Sequence, residues 1–449
     1  MTQSSISTSQ NDIKLGDLAR DAAVALTIQV AGVVITYLVQ VFLARWMGKT
    51  EYGIYEYVVS WSLLLAIPAG IGLPITVLRF IPEYRVKQSW GYLRGILRSS
   101  LIITLLASLL LCIGTGGILL SVNHYHSFVY GIPLLVGIGL IPLQAFVNLQ
   151  IETARAMEDV PLAYLPSKVI WPLLVLGGGF LLFGRGYELT SLPIIVTSSL
   201  ALLIAVLFQF WILSRKVAKN VEPATPVYDY SKWLKVALSL LLLQGSYLIL
   251  NQTDIVMVGS LIGPDASGIY NAAVKTALWV SFVLEMINIV AAPAFTILYT
   301  QGDMEGLQKV VANVTTWIFI PSVLIALGLT IFTQPILSVF GPDFLDASLS
   351  LQILTLGQVI NALCGSVGFL LMMTGYQDKA VVVMCSSALL NIVLNWILIP
   401  RFGIIGAAIA TSFTMALWNI WLCIVVVKHL GINPTIFYGL FDKADNETN

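Results

Sequence analysis

Gly48-Lys49-Thr50-Glu51-Tyr52-Gly53-Ile54-Tyr55 and Gly263-Pro264-Asp265-Ala266-Ser267-Gly268-Ile269-Tyr270 stand 215 residues apart and share Gly, Gly, Ile and Tyr at matching positions. Each octet ends one long apolar run and opens another. Two further matches fall later in each half. Ala156-Met157-Glu158-Asp159 and Gly375-Tyr376-Gln377-Asp378, then Phe183-Gly184 and Phe402-Gly403, repeat at a common offset of 219. Turn motifs recurring at corresponding connections mark a duplicated unit, so the chain reads as two copies of one bundle.

The apolar runs say where that bundle sits. The 449 residues are 58% hydrophobic and only 10% charged, with a mean hydropathy of +0.89, whereas an ordinary soluble domain is roughly 25% charged. Crossing about 30 Å of hydrocarbon takes about 20 apolar residues in a helix, which pairs its own backbone groups. Twelve segments qualify, near 22–44, 55–78, 97–120, 127–150, 163–183, 192–213, 234–261, 272–299, 311–333, 348–373, 379–399 and 404–427. The expected fold is therefore an all-α integral membrane protein with about 12 transmembrane helices. Six spans per copy return the chain to its starting side, which relates the copies by a pseudo-twofold axis along the membrane normal.

Basic residues orient the bundle. With the N-terminus inside, 18 of the 23 Lys and Arg fall on the cytoplasmic side, and Arg45, Lys49, Arg185, Lys275 and Arg401 fall outside. The expected layout is a cytoplasmic tail at 1–21, a six-helix bundle at 22–213, a cytoplasmic linker at 214–233, a second bundle at 234–427 and a cytoplasmic tail at 428–449. The polar first twenty residues lack the apolar core of a cleavable signal, so insertion is expected to start from the first span. Multi-pass residence in the inner or plasma membrane, with both termini cytoplasmic, follows.

Several chemistries are disfavoured. Net charge is zero, which gives no basic footprint for nucleic acid. Cys112, Cys364, Cys385 and Cys423 lie in apolar runs without CxxC spacing, and His124 and His126 share a short loop without a third ligand, so no metal site is expected. No Walker motif points to direct ATP use. The outer connections are too short to hold the catalytic groups of an intramembrane polymerase or ligase, so the chain is not read as an enzyme. Trp90, Trp171, Trp211 and Trp233 lie near span ends, where indole rings anchor at the interface.

Ala44-Arg45-Trp46-Met47-Gly48 running on to Tyr55, and Arg79-Phe80-Ile81-Pro82-Glu83-Tyr84 after the second span, resemble the opening of polysaccharide-biosynthesis flippases. These belong to the multidrug/oligosaccharidyl-lipid/polysaccharide exporter superfamily. Asp254, the Gly268-Ile269-Tyr270 turn and Phe402-Gly403-Ile404-Ile405-Gly406 extend the resemblance across nearly the whole chain. It implies a MATE-like fold and movement of a polyprenyl-diphosphate-linked oligosaccharide between leaflets by alternating access. It also implies polysaccharide-assembly proteins as partners beside the bilayer and the lipid-linked sugar. A cation-coupled multidrug antiporter of the same superfamily is the alternative.

Such a cargo needs a polar cleft, because sugar and diphosphate lose water without replacement partners in hydrocarbon. Gln244, Tyr247, Asn251 and Asp254 recur at spacings of 3, 4 and 3 on the seventh span, which places them on one helical face. Ser281, Glu285 and Asn288 repeat this on the eighth, and Gln29, Thr36 and Gln40 on the first. Gln358 with Asn361, Asn391 with Asn395, and Gln144 with Asn148 add three helices. Asp254 and Glu285 stand out, since an ionised carboxylate in a span costs about 2.5 kcal/mol or more. They are the candidates for coupling to a proton or sodium gradient; no other cofactor is implied. Arg45, Arg79 and Lys275, the cations nearest span ends, are the candidates for the diphosphate.

Overall fold

The computed structural model describes residues 4–125 and 128–436, with side chains from residue 23 onward except at Ser239. All regular structure among them is helical. Ten continuous helical stretches are long and apolar enough to cross a membrane, and two of these double back. At Gly48 (φ 73°) and Gly403 (φ 62°) the backbone enters the left-handed region that glycine occupies without a Cβ clash. Tyr52 donates to the Gln40 side chain at 2.6 Å, although residues twelve apart on a straight helix are separated by about 18 Å. A Cβ on Gly406 would similarly stand 3.0 Å from the Ile399 nitrogen. The two long helices are thus four spans, and the total is twelve.

Breaks inside the spans have local causes. The second span runs 49–70, turns through Ile71 and Gly72 at positive φ, and resumes as Leu73–Val86. The fifth joins Val160–Leu165 to Trp171–Gly184 through a π-helical turn, Pro166–Ile170, where proline withholds its backbone donor. The tenth breaks at Gly365 (φ 67°) between Ser348–Cys364 and Val367–Met373. The sixth helix continues to Asn220 and the seventh begins at Tyr230, so the extended connection between bundles is 221–229.

The distribution of core residues explains the shape. One cluster draws from both bundles: Leu43, Tyr55, Val58 and Ile194 pack with Ile255, Val258, Tyr270 and Phe340. Toward the other membrane face the core divides. Val77, Phe80, Leu93 and Leu149 form one cluster with Trp233, while Phe295, Val311, Leu370 and Val426 form another wholly within the second bundle. Two bundles that share a core at one end and at the other join through the start of the seventh span, while the rest of the second bundle keeps a core of its own, enclose a wedge. Trp233 is buried and its indole N–H donates to Tyr84 Oη at 2.9 Å, so it belongs to this packing rather than to an interfacial belt. Trp211 is half exposed beneath the Arg215 guanidinium.

Candidate functional site

The two glycine octets meet at the closed end of the wedge. A Cβ on Gly53 would overlap the Pro264 carbonyl and stand 2.8 Å from the Gly268 nitrogen; one on Gly268 would overlap the Lys49 carbonyl and stand 3.0 Å from the Gly53 nitrogen. The contact is reciprocal, as a twofold axis through it requires. Thr50 Oγ1 donates to Asp265 Oδ1 at 2.6 Å across the same axis. Lys49 reaches Asp265 at 3.8 Å and Asp343 at 3.7 Å. Tyr57 and Ser260 hydroxyls bond at 2.8 Å, and Tyr130 Oη donates to the Gly259 carbonyl at 2.9 Å. The symmetry extends into each bundle: Tyr55 bonds Ser198 on the sixth span, and Tyr270 bonds Asp254 while Thr411 on the twelfth bonds the same carboxylate oxygen.

Below this seal lies a cleft of about 520 Å³. Its walls come from the second, fourth, seventh, eighth, tenth, eleventh and twelfth spans, at mid-depth and toward the end that carries connections 87–89, 157–159 and 302–303. Gln244, Asn251, Glu285 and Asn288 line it as the helical spacing predicts, together with Tyr247, Ser281, Asn148, Gln358 and Asn361. Asn419 and Glu152 complete the polar wall. Amides from several helices offer both donors and acceptors to one volume, which suits a polyhydroxylated ligand.

Charge gathers at the closed end of this cleft. Lys275, one helical turn before the lining residue Leu278, extends Nζ to within 3.9 Å of Glu56 on the second span. Glu56 is 1% exposed, and its Oε1 has no hydrogen-bond partner among the described residues. Lys168, carried by the π-helical turn of the fifth span, lies close enough to Glu285 and Lys275 to interact electrostatically with both. The two bundles thus contribute one carboxylate and one ammonium each: Glu56 and Lys168 from the first, Glu285 and Lys275 from the second. The signs cancel, so every charge has a counterion while none is locked in a short ion pair.

The remaining sequence candidates lie elsewhere. Asp254 is 2% exposed, turned away from the cleft, and accepts from Tyr270 Oη at 2.8 Å, Thr411 Oγ1 at 3.1 Å and the Ile255 N–H; it ties the seventh, eighth and twelfth spans together. Gln40 accepts from Tyr52. Arg45 and Arg79 are exposed and line no part of the cleft, Arg79 lying beside the Phe80 ring. Asn391 accepts from Asn395 one turn on, outside the cleft. His126 lies outside the described residues, and no group of three metal-ligating side chains occurs among those described.

Glu56 and Lys168 were missed for identifiable reasons. Glu56 directly follows the repeat turn, where a charge reads as part of a connection. Lys168 counts toward the basic side although it falls within the fifth span, whose helix runs on from Val160. The usable signal was an ionisable residue inside an 18-residue apolar window.

Residues 18–298 match the family described as polysaccharide biosynthesis protein, and residues 236–397 match the MatE family. The chain is 26% identical over 411 residues to the probable low-salt glycan biosynthesis flippase Agl15 of Haloferax volcanii, covering 89% of this chain and 81% of that one. Its fold is similar to a multidrug-resistance MATE family transporter in an inward-facing conformation, with a TM-score of 0.72, 14% identity, and coverage of 91% of this chain and 98% of the other. It is also similar to the lipid II flippase MurJ in an inward closed conformation, with a TM-score of 0.67, 17% identity and coverage of 90% and 87%.

Proposed function

The chain belongs to the polysaccharide biosynthesis protein family of the multidrug/oligosaccharidyl-lipid/polysaccharide exporter superfamily, and on that premise we propose that it carries a polyprenyl-diphosphate-linked oligosaccharide from the cytoplasmic to the outer leaflet of the cell membrane. The observation that carries the reading is the composition of the cleft. An amide-rich wall faces sugar hydroxyls, and two lysines, one from each bundle, lie beside it: Lys275 one turn beyond the lining Leu278, and Lys168 close enough to the lining Glu285 to interact with it electrostatically, so that both are placed to meet a diphosphate. Lys168 and Lys275 beside the cleft offer a diphosphate charge partners that a cationic drug could not use, which favours this cargo over the multidrug alternative.

With both termini cytoplasmic, the open end faces the cytoplasm and the octet seal faces outward. Diphosphate entry draws Lys275 toward the ligand and leaves Glu56 without a counterion. That carboxylate then gains by binding a proton or a sodium ion, which couples cargo to a gradient. Rocking about the shared core opens the octet seal and closes the separate cores. The test is leaflet-resolved transport in proteoliposomes, with a lipid-diphosphate sugar and a cationic drug compared under imposed proton and sodium gradients. Movement of the lipid-linked sugar alone is expected; drug antiport without lipid movement overturns the reading.

A further inference from the structure

A lipid-linked sugar has two ends, and a polar cleft accommodates only one. Its apolar tail must leave the cleft through a wall, and the wall between the second and seventh spans has an interruption. The two spans touch at two levels. Toward the outer seal, Ser60 Oγ donates to Gln252 at 3.0 Å and Tyr57 bonds Ser260 at 2.8 Å. Toward the opposite face, Gly72 packs so closely on the seventh span that a Cβ would stand 3.1 Å from the Leu241 nitrogen, and Trp233 bonds Tyr84.

Between these levels the packing of the two spans is looser. Glycine replaces a side chain at Gly245, where a Cβ would only graze Ile67 at 3.9 Å. On the far side of this seam lies a second cavity, a lipid-facing groove of about 630 Å³ among the second, seventh and eleventh spans. Trp61, Leu64, Pro68, Ile249, Met257 and Trp396 make it almost wholly apolar. Ile67 and Leu248 line both the groove and the polar cleft, so two side chains separate the two volumes.

We propose that this groove holds the polyisoprenoid tail of the cargo, with Ile67, Gly245 and Leu248 forming the window through which the tail passes while the diphosphate sugar occupies the cleft. The inference rests on the flippase reading. Three observations select this occupant: the groove adjoins the cleft, it faces lipid, and its walls are apolar where the cleft's are polar. An isoprenoid exchanges bilayer for groove at little cost, whereas the head gains hydrogen bonds only in the cleft.

The test uses the full-length protein in proteoliposomes and a prenyl-diphosphate N-acetylglucosamine bearing a diazirine on its tail. Photolysis is expected to label peptides containing Trp61, Gly245 or Trp396; labels confined to the first and eighth spans would place the tail at another seam and overturn the proposal. Gly245→Phe fills the window, and it is expected to weaken binding of a long-tailed lipid about ten-fold while a short-tailed analogue with the same head binds unchanged. Equal effects on both tails, or none, refute the window. Should Gly245→Phe fail to fold, the exposed Trp396→Ala substitution serves instead, with loss of tail labelling expected and undiminished labelling counting against the groove. A wild-type protein that binds neither lipid sinks the flippase reading, and this inference with it.

Discussion

Gly268→Ala addresses the seal between the repeats. Its Cβ would overlap the Lys49 carbonyl and stand 3.0 Å from the Gly53 nitrogen, and both are backbone atoms with no rotamer to yield. The eighth and second spans must therefore separate at their outer ends. Overpacking of this kind costs about 1–3 kcal/mol. The cost is confined to the state in which the octets touch, so it becomes a shift in the equilibrium between the two orientations of the cleft of about 5- to 150-fold. The reciprocal geometry adds a stricter requirement: Gly53→Ala, which meets Pro264 and Gly268 in the same way, must shift the equilibrium in the same direction. Spin labels at Tyr187 and Phe402, exposed residues of the two bundles at the connections on the octet side, report the separation through dipolar coupling. A longer-distance population is expected in both variants. Unchanged distance distributions in variants that insert normally would refute the claim that these glycines set the closed state.

Lys275→Ala strands the buried Glu56 carboxylate, with an expected loss of about 3–5 kcal/mol in thermal denaturation; Glu56→Gln on the same background should restore stability without restoring transport, and an unaffected single variant would show that the 3.9 Å pair carries nothing. Asp254→Ala removes the acceptor shared by Tyr270 and Thr411 and should lower stability by about 1–3 kcal/mol. Cargo affinity of the folded fraction should be unchanged, so lost affinity would return Asp254 to the binding site. Lys168→Gln should weaken binding of a prenyl-diphosphate sugar about ten-fold or more, as expected for a charge-assisted hydrogen bond, and leave a neutral prenyl alcohol unaffected. Equal affinity for the diphosphate lipid would remove Lys168 from its path.

The sequence alone determined the medium, the number of spans and the duplication, because each is written in local properties. Apolar runs of helix-spanning length admit one solution in hydrocarbon, and Gly48 and Gly263 mark turns wherever the chain later places them. Spacing also put Gln244, Asn251, Glu285 and Asn288 on faces that do line the cleft, since helical periodicity fixes which residues share a side. What periodicity could not decide is which polar face meets a cavity and which meets another helix. Asp254 shares its stripe with Asn251, yet three donors from neighbouring backbone and spans enclose it, whereas Glu285 on the next helix lines the cleft. The pairing of Glu56 with Lys275 joins residues 219 positions apart, and Lys168 interacts with the same cluster from the π turn of the fifth span. These meetings depend on how two bundles lean together about a shared core, and that is a property of long-range packing, settled by tertiary structure.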